Sequence, residues 1–413
     1  MPLDFSVVEK FVSDYREAMQ DKSLLRHARY NILAKLRDEL QTLLNSYEAF
    51  ESEITSHLRG QIETARTYEG LRECHEKAVD GIGSFFVENK TVPDVHDLFR
   101  MIRSSITVKV LEMVEGEMRE AGLGEPPADY VWIGLGSEGR DEQTMLTDQD
   151  NMIVYETIAG KSGSDKNLRY FEEFSQRAVD RLDEVGFQKC KGNVMPSSEK
   201  WRGSVEAWKK RLDDRMIYEK GAFEDLDIII LTDARSIRGN EVLLRRVMGF
   251  FFDNLANNRR IMNDFVRSAV LMPTAITFFG NFKVEKTGDY KDMFNLKLLG
   301  WAPLIFSVRM LTLANRLYET NTLKRIRLLR EKGIIKKDME NDLTDAYLTF
   351  VKFRIMNQIQ KRNNDGSSSI MDMNYVRPDM LGPEEQEKMR KAMKAVESVQ
   401  RYIEEVLLFG QPI

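Results

Sequence analysis

VWIGLGSEGRDEQTMLTDQDNMIVY, residues 131–155, is the stretch on which the reading of this chain turns. Gly134, Gly136 and Gly139 have the G-x-G-x-x-G spacing of a dinucleotide-binding loop, and Asp148 and Asp150 follow closely. That motif requires a strand, a glycine turn, a full helix and a second strand before the acidic residue that holds the ribose. Here only eleven residues separate Gly139 from Asn151, too few for a crossover helix, and both aspartates precede the apolar run NMIVY. A P-loop is excluded as well, because Arg140 and Asp141 stand where a lysine and a hydroxyl residue are required.

The spacing does fit another kind of phosphate site. Gly136 and Ser137 follow a strand and open a short helix, so their backbone N–H groups and the Ser137 hydroxyl can face a phosphate at the positive helix end. Asp148 and Asp150, at i and i+2 of an extended segment, put both carboxylates on one face, about 7 Å apart along the backbone. Oxygen ligands of this kind suit Mg²⁺, which binds through one or two carboxylates together with substrate phosphates. Taken singly, a T-D-Q-D stretch is an ordinary solvated turn and Ser137 an ordinary helix cap. Their attachment to one strand pair is what makes them a site.

Composition bounds the rest. A chain of 413 residues is long enough for two or three domains with a substantial core. Its 61 basic and 66 acidic side chains leave a formal charge of −5, so nothing global announces nucleic-acid binding. The two cysteines, Cys74 and Cys190, are too far apart for a metal knuckle and too few for a disulfide framework, which fits a reducing cytoplasm without zinc. The start, MPLDFSVVEK, lacks the features of a signal peptide, and the apolar run at 269–280 is short and holds Pro273, so no membrane partner is expected. His27, His57, His75 and His96 all lie in the first quarter, where they read as surface or partly buried helix residues. Chemistry farther along therefore falls to carboxylates, lysines, hydroxyls and metal.

Along the chain, residues 1–92 read as a helical region. Ile32, Leu36, Leu40, Leu43, Tyr47, Phe50, Ile54 and Leu58 form an apolar seam at steps of three and four. Its partner is expected to be another helix of the same segment in an antiparallel hairpin, or a second copy in a coiled-coil homodimer. The next region, 93–240, opens with a helix at 94–121 and continues as alternating strands and helices. Strands are expected at 129–135, 151–156 and 226–232, and helices near 167–185 and 198–214. Breaks at Pro273, NFKVEKTGDY, NNDGSSSIMD and RPDMLGP divide 241–413 into five or six helices. Trp201, Val205 and Trp208 have the spacing of core residues, the basic run at 324–337 reads as a solvated helix face, and Lys297 as solvent-facing, with a substrate role as its alternative.

At this point a family resemblance enters. G-S-x-G-R-x-E at 136–142 followed by T-D-x-D-N at 147–151 resembles the active-site signature of nucleotidyltransferases of the DNA polymerase β superfamily, including the bacterial PII-uridylyltransferase branch. More closely, the chain resembles the nucleotidyltransferase domain that accompanies cyclic-nucleotide-binding and CBS domains in bacterial signalling proteins. That likeness runs through GNVMPSSEKWRGSVEAW (192–208), TDARSIRGN (232–240), FFGNFKVEKTGDYKDMFNLKLLG (278–300) and VRPDMLGPEEQEKMRKAM (376–393). It implies an α+β fold: a polymerase-β-like nucleotidyltransferase core, with a small mixed sheet and helices, flanked by an N-terminal helical hairpin and a C-terminal helical bundle.

The resemblance also implies roles. Gly136, Ser137 and Arg140 would bind the nucleoside triphosphate, Arg140 by neutralising phosphate or by bracing the loop, and Glu142 would hold local structure. Asp148, Asp150 and a third carboxylate would be catalytic and hold Mg²⁺, with Mn²⁺ as the alternative ion. Asp233 matches the third position best, and Asp227 is the alternative on the same expected strand face. The reaction would move a nucleoside monophosphate to an acceptor hydroxyl, on a regulatory protein in signalling. One position departs from the family pattern: Asp141 stands where a glycine is usual. Its charge would oppose triphosphate binding unless it points away or is paired, so a nucleotide-sensing or scaffold module is the competing reading.

Overall fold

The computed structural model describes residues 25–51, 56–156, 161–277, 280–365 and 372–408, with scattered positions before residue 25. The chain forms two compact units, Met1–Ile106 and Thr107–Ile413.

In the first unit, helices α1 (Arg26–Glu51), α2 (Leu58–Thr64) and α3 (Tyr68–Asn89) precede α4 (Val92–Glu120), which crosses the unit boundary. Thr67 starts α3 by accepting a hydrogen bond from the Gly70 N–H at 3.1 Å, and Lys90 ends it in the left-handed conformation, with Pro93 in the first turn of α4. α3 folds back on α4 as a hairpin: Phe85, Phe86, Val95 and Phe99 are buried, and Arg103 Nε lies 3.2 Å from His75 Nε2. His75 and His96 are fully buried by this packing, deeper than their helix-surface reading allowed. The expected seam is not covered over its length among the described residues: Leu40 is exposed, Ile32 and Leu36 half-buried, and Leu58 buried. The side chains of Leu43, Tyr47 and Phe50, and all of Ile54, lie outside the described residues.

The second unit is built on a four-stranded sheet, β1 (Tyr130–Gly134), β3 (Asn151–Tyr155), β5 (Arg202–Ser204) and β6 (Arg235–Gly239), in the order β5-β3-β1-β6. β1 runs antiparallel to β3 and β6, and β3 parallel to β5. A separate two-residue pairing joins β2 (Asp148–Gln149) in parallel to β4 (Gln188–Lys189). Every residue of YVWIG and NMIVY is buried, as suits central strands covered on both faces. Helix α5 (Gly136–Gly139) is the single turn after β1, and α6 (Lys161–Glu184) covers the sheet, with Phe171 stacked on Tyr155 at 4.4 Å and Phe174 edge-on to Tyr130 at 5.3 Å. On α7 (Val205–Met216), Trp208 donates to the Ile153 carbonyl at 3.0 Å and joins Trp201 and Phe223 in an aromatic cluster, so Trp201, Val205 and Trp208 are core residues.

The expected strand at 226–232 is instead helix α8 (Asp225–Leu231). Its β-branched run is overridden by a capping box in which the Glu224 N–H donates to Asp227 Oδ2 at 2.6 Å, and by acids in the first turn that suit the positive helix end. The strand paired with β1 on the far edge is RSIRG, β6, which carries a bulge opposite Trp132 and Ile133.

The remainder is mainly helical, with one short antiparallel pairing of Phe294–Asn295 with Tyr375–Val376: α9 (Glu241–Asn257), α10 (Arg259–Val270), α11 (Ala302–Ala314), α12 (Thr322–Glu331), α13 (Lys337–Asp365) and α14 (Pro383–Ile403). The window Lys297–Ala314, longer than the apolar run at 269–280, is long and apolar enough to cross a membrane, but 67% of it is buried inside the protein. α11 is the central helix onto which its neighbours pack.

Candidate functional site

The register of β1 and β3 sets Gly134 opposite Asn151, and the Leu135 N–H donates to the Asp150 carbonyl at 2.7 Å. The glycine turn is thereby pinned to the aspartates. Gly136 has a φ of +51°, and a Cβ on it would collide with Asp150 Oδ2. Gly139 has a different reason to be glycine: its Cβ would overlap the Asp233 carbonyl oxygen. The first glycine makes room for a functional carboxylate, the second for a neighbouring backbone.

Gln149, between the two acids, points inward. Its Nε2 donates to the carbonyls of Val179 (3.1 Å) and Phe187 (2.8 Å), and strand alternation turns Asp148 and Asp150 the other way, towards a cavity. The pairing of β2 with β4 brings Cys190 alongside, so that ligand atoms of Asp148, Asp150 and Cys190 all lie within 4.8 Å of one another. The Cys190 sulfur and the Asp150 carboxylate thus face each other within this cluster. Burial, then the Asp148 charge, pushes the Asp150 carboxyl up to about 7. Burial, then Asp150, pushes the Cys190 thiol up to about 12. The Asp148 carboxylate has no hydrogen-bond or ion-pair partner among the described residues. Two adjacent carboxylates with no cation in contact fit a divalent ion.

Asp233 is not at this cluster. Its carboxylate accepts from Arg140 Nη1 at 2.6 Å, from Arg309 Nη2 and from Arg325 Nη2 at 3.3 Å, all within the buried interior. Burial acts to raise its carboxyl, and Arg309, Arg140 and Arg325 reverse that and hold it below the usual range. With both oxygens engaged by guanidinium groups, Asp233 is placed as the hub of an ion network, and Cys190 occupies the position beside Asp148 and Asp150 where the third carboxylate was expected. Asp227 is no substitute, since it caps α8 and pairs with Lys200 at 2.6 Å.

Arg140 is buried, with Nε on Glu142 at 2.8 Å and Nη1 on Asp233, an arrangement that braces the loop. Glu142 in turn accepts the Thr322 N–H at 2.6 Å, and Asn321 donates to the Arg140 carbonyl at 2.9 Å, so the start of α12 is fastened to the glycine turn. Arg325, from the basic run expected to be solvated, is an interior member of this network. Asp141 adopts a φ of +56°, the conformation that explains why glycine is usual there, and its carboxylate pairs with Arg235 at 2.9 Å. Its charge is answered by that arginine, and the residue is not among those lining the cavity.

The cavity measures about 890 Å³. Gly136, Ser137, Asp148, Asp150 and Cys190 form one wall; Lys297, Trp301, Arg309 and Arg354 of the helical region face into it as well, with Met272, Ile305 and Phe306 as an apolar section. Ser137 Oγ lies 3.3 Å from Thr147 Oγ1.

Residues 77–221 match the family model described as "Putative nucleotidyltransferase DUF294", and residues 259–406 match the one described as "Putative nucleotidyltransferase substrate binding domain". Together the matches span more than half of the chain. The chain belongs to this nucleotidyltransferase family. No curated protein matches it. Both matched regions contribute to the cavity: the glycine turn, Asp148, Asp150 and Cys190 fall in the first, and Lys297, Trp301, Arg309 and Arg354 in the second, while Glu224–Asp233 lie between the two. Of the residues expected from sequence, Gly136, Ser137, Arg140, Asp148, Asp150 and Asp233 all border the cavity, but only Asp148 and Asp150 share the ligand cluster. Cys190, Trp301 and Arg354 were missed. The first two lie next to stretches that carry the family likeness, GNVMPSSEKWRGSVEAW and the segment ending LKLLG; Arg354 has no local signal.

Proposed function

We propose that this chain is a divalent-metal-dependent nucleotidyltransferase that moves a nucleoside monophosphate from a nucleoside triphosphate to an acceptor hydroxyl. The observation that carries the reading is the meeting of a serine-bearing glycine turn with two adjacent carboxylates in the lining of one cavity. Asp148 and Asp150 would hold Mg²⁺ or Mn²⁺ together with phosphate oxygens of the nucleotide, while Cys190, held as the neutral thiol, would stand beside the ion without ligating it. The bound ion would supply charge neutralisation to the attacking and leaving oxygens. The turn N–H groups and the Ser137 hydroxyl would hold the phosphates, and the apolar section at Met272, Ile305 and Phe306 would face the base. The acceptor oxygen bonds to the α-phosphorus as the bond to the β-phosphate oxygen breaks; pyrophosphate leaves, and a carboxylate of the site takes the hydroxyl proton.

The ion pair of Asp141 with Arg235 supports triphosphate binding, since it answers the charge that stood against it. The likeness to the uridylyltransferase branch supports a regulatory protein as acceptor, in cytoplasmic signalling. Incubating cell extract with the purified chain, Mg²⁺ and labelled nucleoside triphosphates should label a discrete protein band. Asp148→Asn and Asp150→Asn should abolish labelling while leaving the circular dichroism spectrum unchanged. Undiminished labelling by both variants would reject the mechanism.

A further inference from the structure

The helical wall of the cavity holds more positive charge and more hydrogen-bond donors than the protein itself satisfies. Four guanidinium groups are buried in or beside the cavity, Arg140 from the glycine turn, Arg309 and Arg354 from the helices and Arg325 behind the lining, and the carboxylates paired with them among the described residues are Glu142 and Asp233. Arg140, Arg309 and Arg325 share those acids. Arg354 is 8% exposed and has no hydrogen-bond or ion-pair partner among the described residues; its guanidinium rests on the Trp301 ring, 4.3 Å from the centroid. Lys297, one turn before Trp301, also lacks a hydrogen-bond or ion-pair partner among the described residues.

The unmet donors point the same way. Among the described residues no acceptor meets the buried Arg354 Nε, Arg309 Nε or Trp301 Nε1, and all three residues line the cavity. Native proteins seldom leave such groups unsatisfied, because each gives up its hydration on burial without a replacement partner. Lys297 and Trp301 bound a five-residue π-helical turn, Lys297–Trp301, a local irregularity common where a helix serves a ligand. Gly300 inside it is packed so closely by Phe350 and Met393 that a Cβ would crowd both, which fixes the turn against the core.

We propose that Arg354, propped on Trp301, together with Lys297 and the free Nε of Arg309, forms an anion-binding pole in the cavity that also holds the Asp148–Asp150 pair, and that it takes a phosphate group. A phosphate offers only acceptors and negative charge, which are the two things this wall lacks. The inference deepens the nucleotidyl-transfer reading and rests on it for the source of the phosphate: the triphosphate tail of the nucleotide or a phosphate carried by the acceptor. Burial lowers the Arg354 guanidinium to about 10 and lowers the Lys297 ammonium, and an anion in contact would offset both penalties.

The test is calorimetric titration of the full-length chain with inorganic tripolyphosphate in EDTA, then with a non-hydrolysable nucleoside triphosphate and Mg²⁺. Wild type should bind tripolyphosphate without metal, and Arg354→Gln and Lys297→Gln should each weaken it about tenfold or more, as expected for a lost charge-assisted contact. Loss of the nucleotide in parallel assigns the pole to the triphosphate tail, whereas unchanged nucleotide affinity assigns it to the acceptor. Without ligand, Arg354→Gln should unfold no earlier than wild type, since it removes an unpaired buried charge; a clear fall in its midpoint would mark Arg354 as structural and overturn the proposal. Tripolyphosphate that fails to bind wild type, or binds both variants equally well, also overturns it. Failure of the enzymatic reading looks different: no labelled product under any condition, with Arg354-dependent tripolyphosphate binding intact.

Discussion

Asp150 concentrates the tension of the site in one side chain. Its carboxylate is pressed against Gly136, faces the Cys190 thiol and is raised to about 7 by burial and by Asp148. A carboxyl whose folded value lies above its unfolded one binds more protons in the native state, so its contribution to stability is greatest at acid pH and is lost as pH rises through about 7. Asp150→Asn removes that cost. The metal-free variant is expected to melt about 2–4 °C above wild type at pH 8, with the gap closing towards pH 5, while divalent-ion binding is lost. Thermal unfolding at both pH values, followed by a metal titration, checks both halves. An equal or lower midpoint at pH 8 would show that the carboxylate is already neutralised by the protein. Asp148 and Asp150 were legible in the sequence because two positions apart on a strand guarantees a shared face. Cys190 was not, because its place depends on the parallel pairing of β2 with β4, forty residues apart in the chain.

Among the elements, α8 and α12 decide what Asp233 does. The run LDIIILT has strand composition, yet its capping box and first-turn acids start a helix, and that helix delivers Asp233 to Arg140, Arg309 and Arg325 and away from the aspartate cluster. Asp233→Asn should therefore destabilise the fold by about 3–5 kcal/mol, since it strips three buried guanidinium groups of their shared carboxylate. A metal ligand would behave in the opposite manner, with little change in denaturant midpoint and a large loss of Mg²⁺ affinity. Urea unfolding alongside metal titration separates the two. The same network explains why Arg325, drawn from a run that looks like a solvated basic face, is interior: one position in that helix faces the hub while Lys324 and Arg327 beside it do not.

At the scale of the whole second unit, the cavity has two poles contributed by distant parts of the chain. The acids come from the strands after the glycine turn, and the unpaired cations from the turn before α11 and from α13. A nucleoside triphosphate with its metal would complement both poles at once and so tie the sheet to the helices. Mg²⁺ and triphosphate together should raise the unfolding midpoint by an amount equivalent to about 2.7 kcal/mol when ligand exceeds its dissociation constant a hundredfold. Either component alone should give less, and EDTA should reverse most of the gain. Differential scanning fluorimetry with the two titrated separately and together checks this; equal shifts with nucleotide in the presence and absence of Mg²⁺ would detach the nucleotide from the acids.

The sequence by itself determined the strands YVWIG and NMIVY, the glycine turn between them, the shared face of Asp148 and Asp150, and the helical character of both ends, because each follows from spacing within about twenty residues. Only the tertiary structure decided that Cys190 joins the aspartates, that Asp233 is held by arginines, that Asp141 is paired with Arg235, and that Arg354 has no hydrogen-bond or ion-pair partner among the described residues. Those outcomes depend on which charges meet in the interior. Charge pairing between residues a hundred positions apart leaves no periodic trace in a chain, whereas strand alternation and turn geometry do.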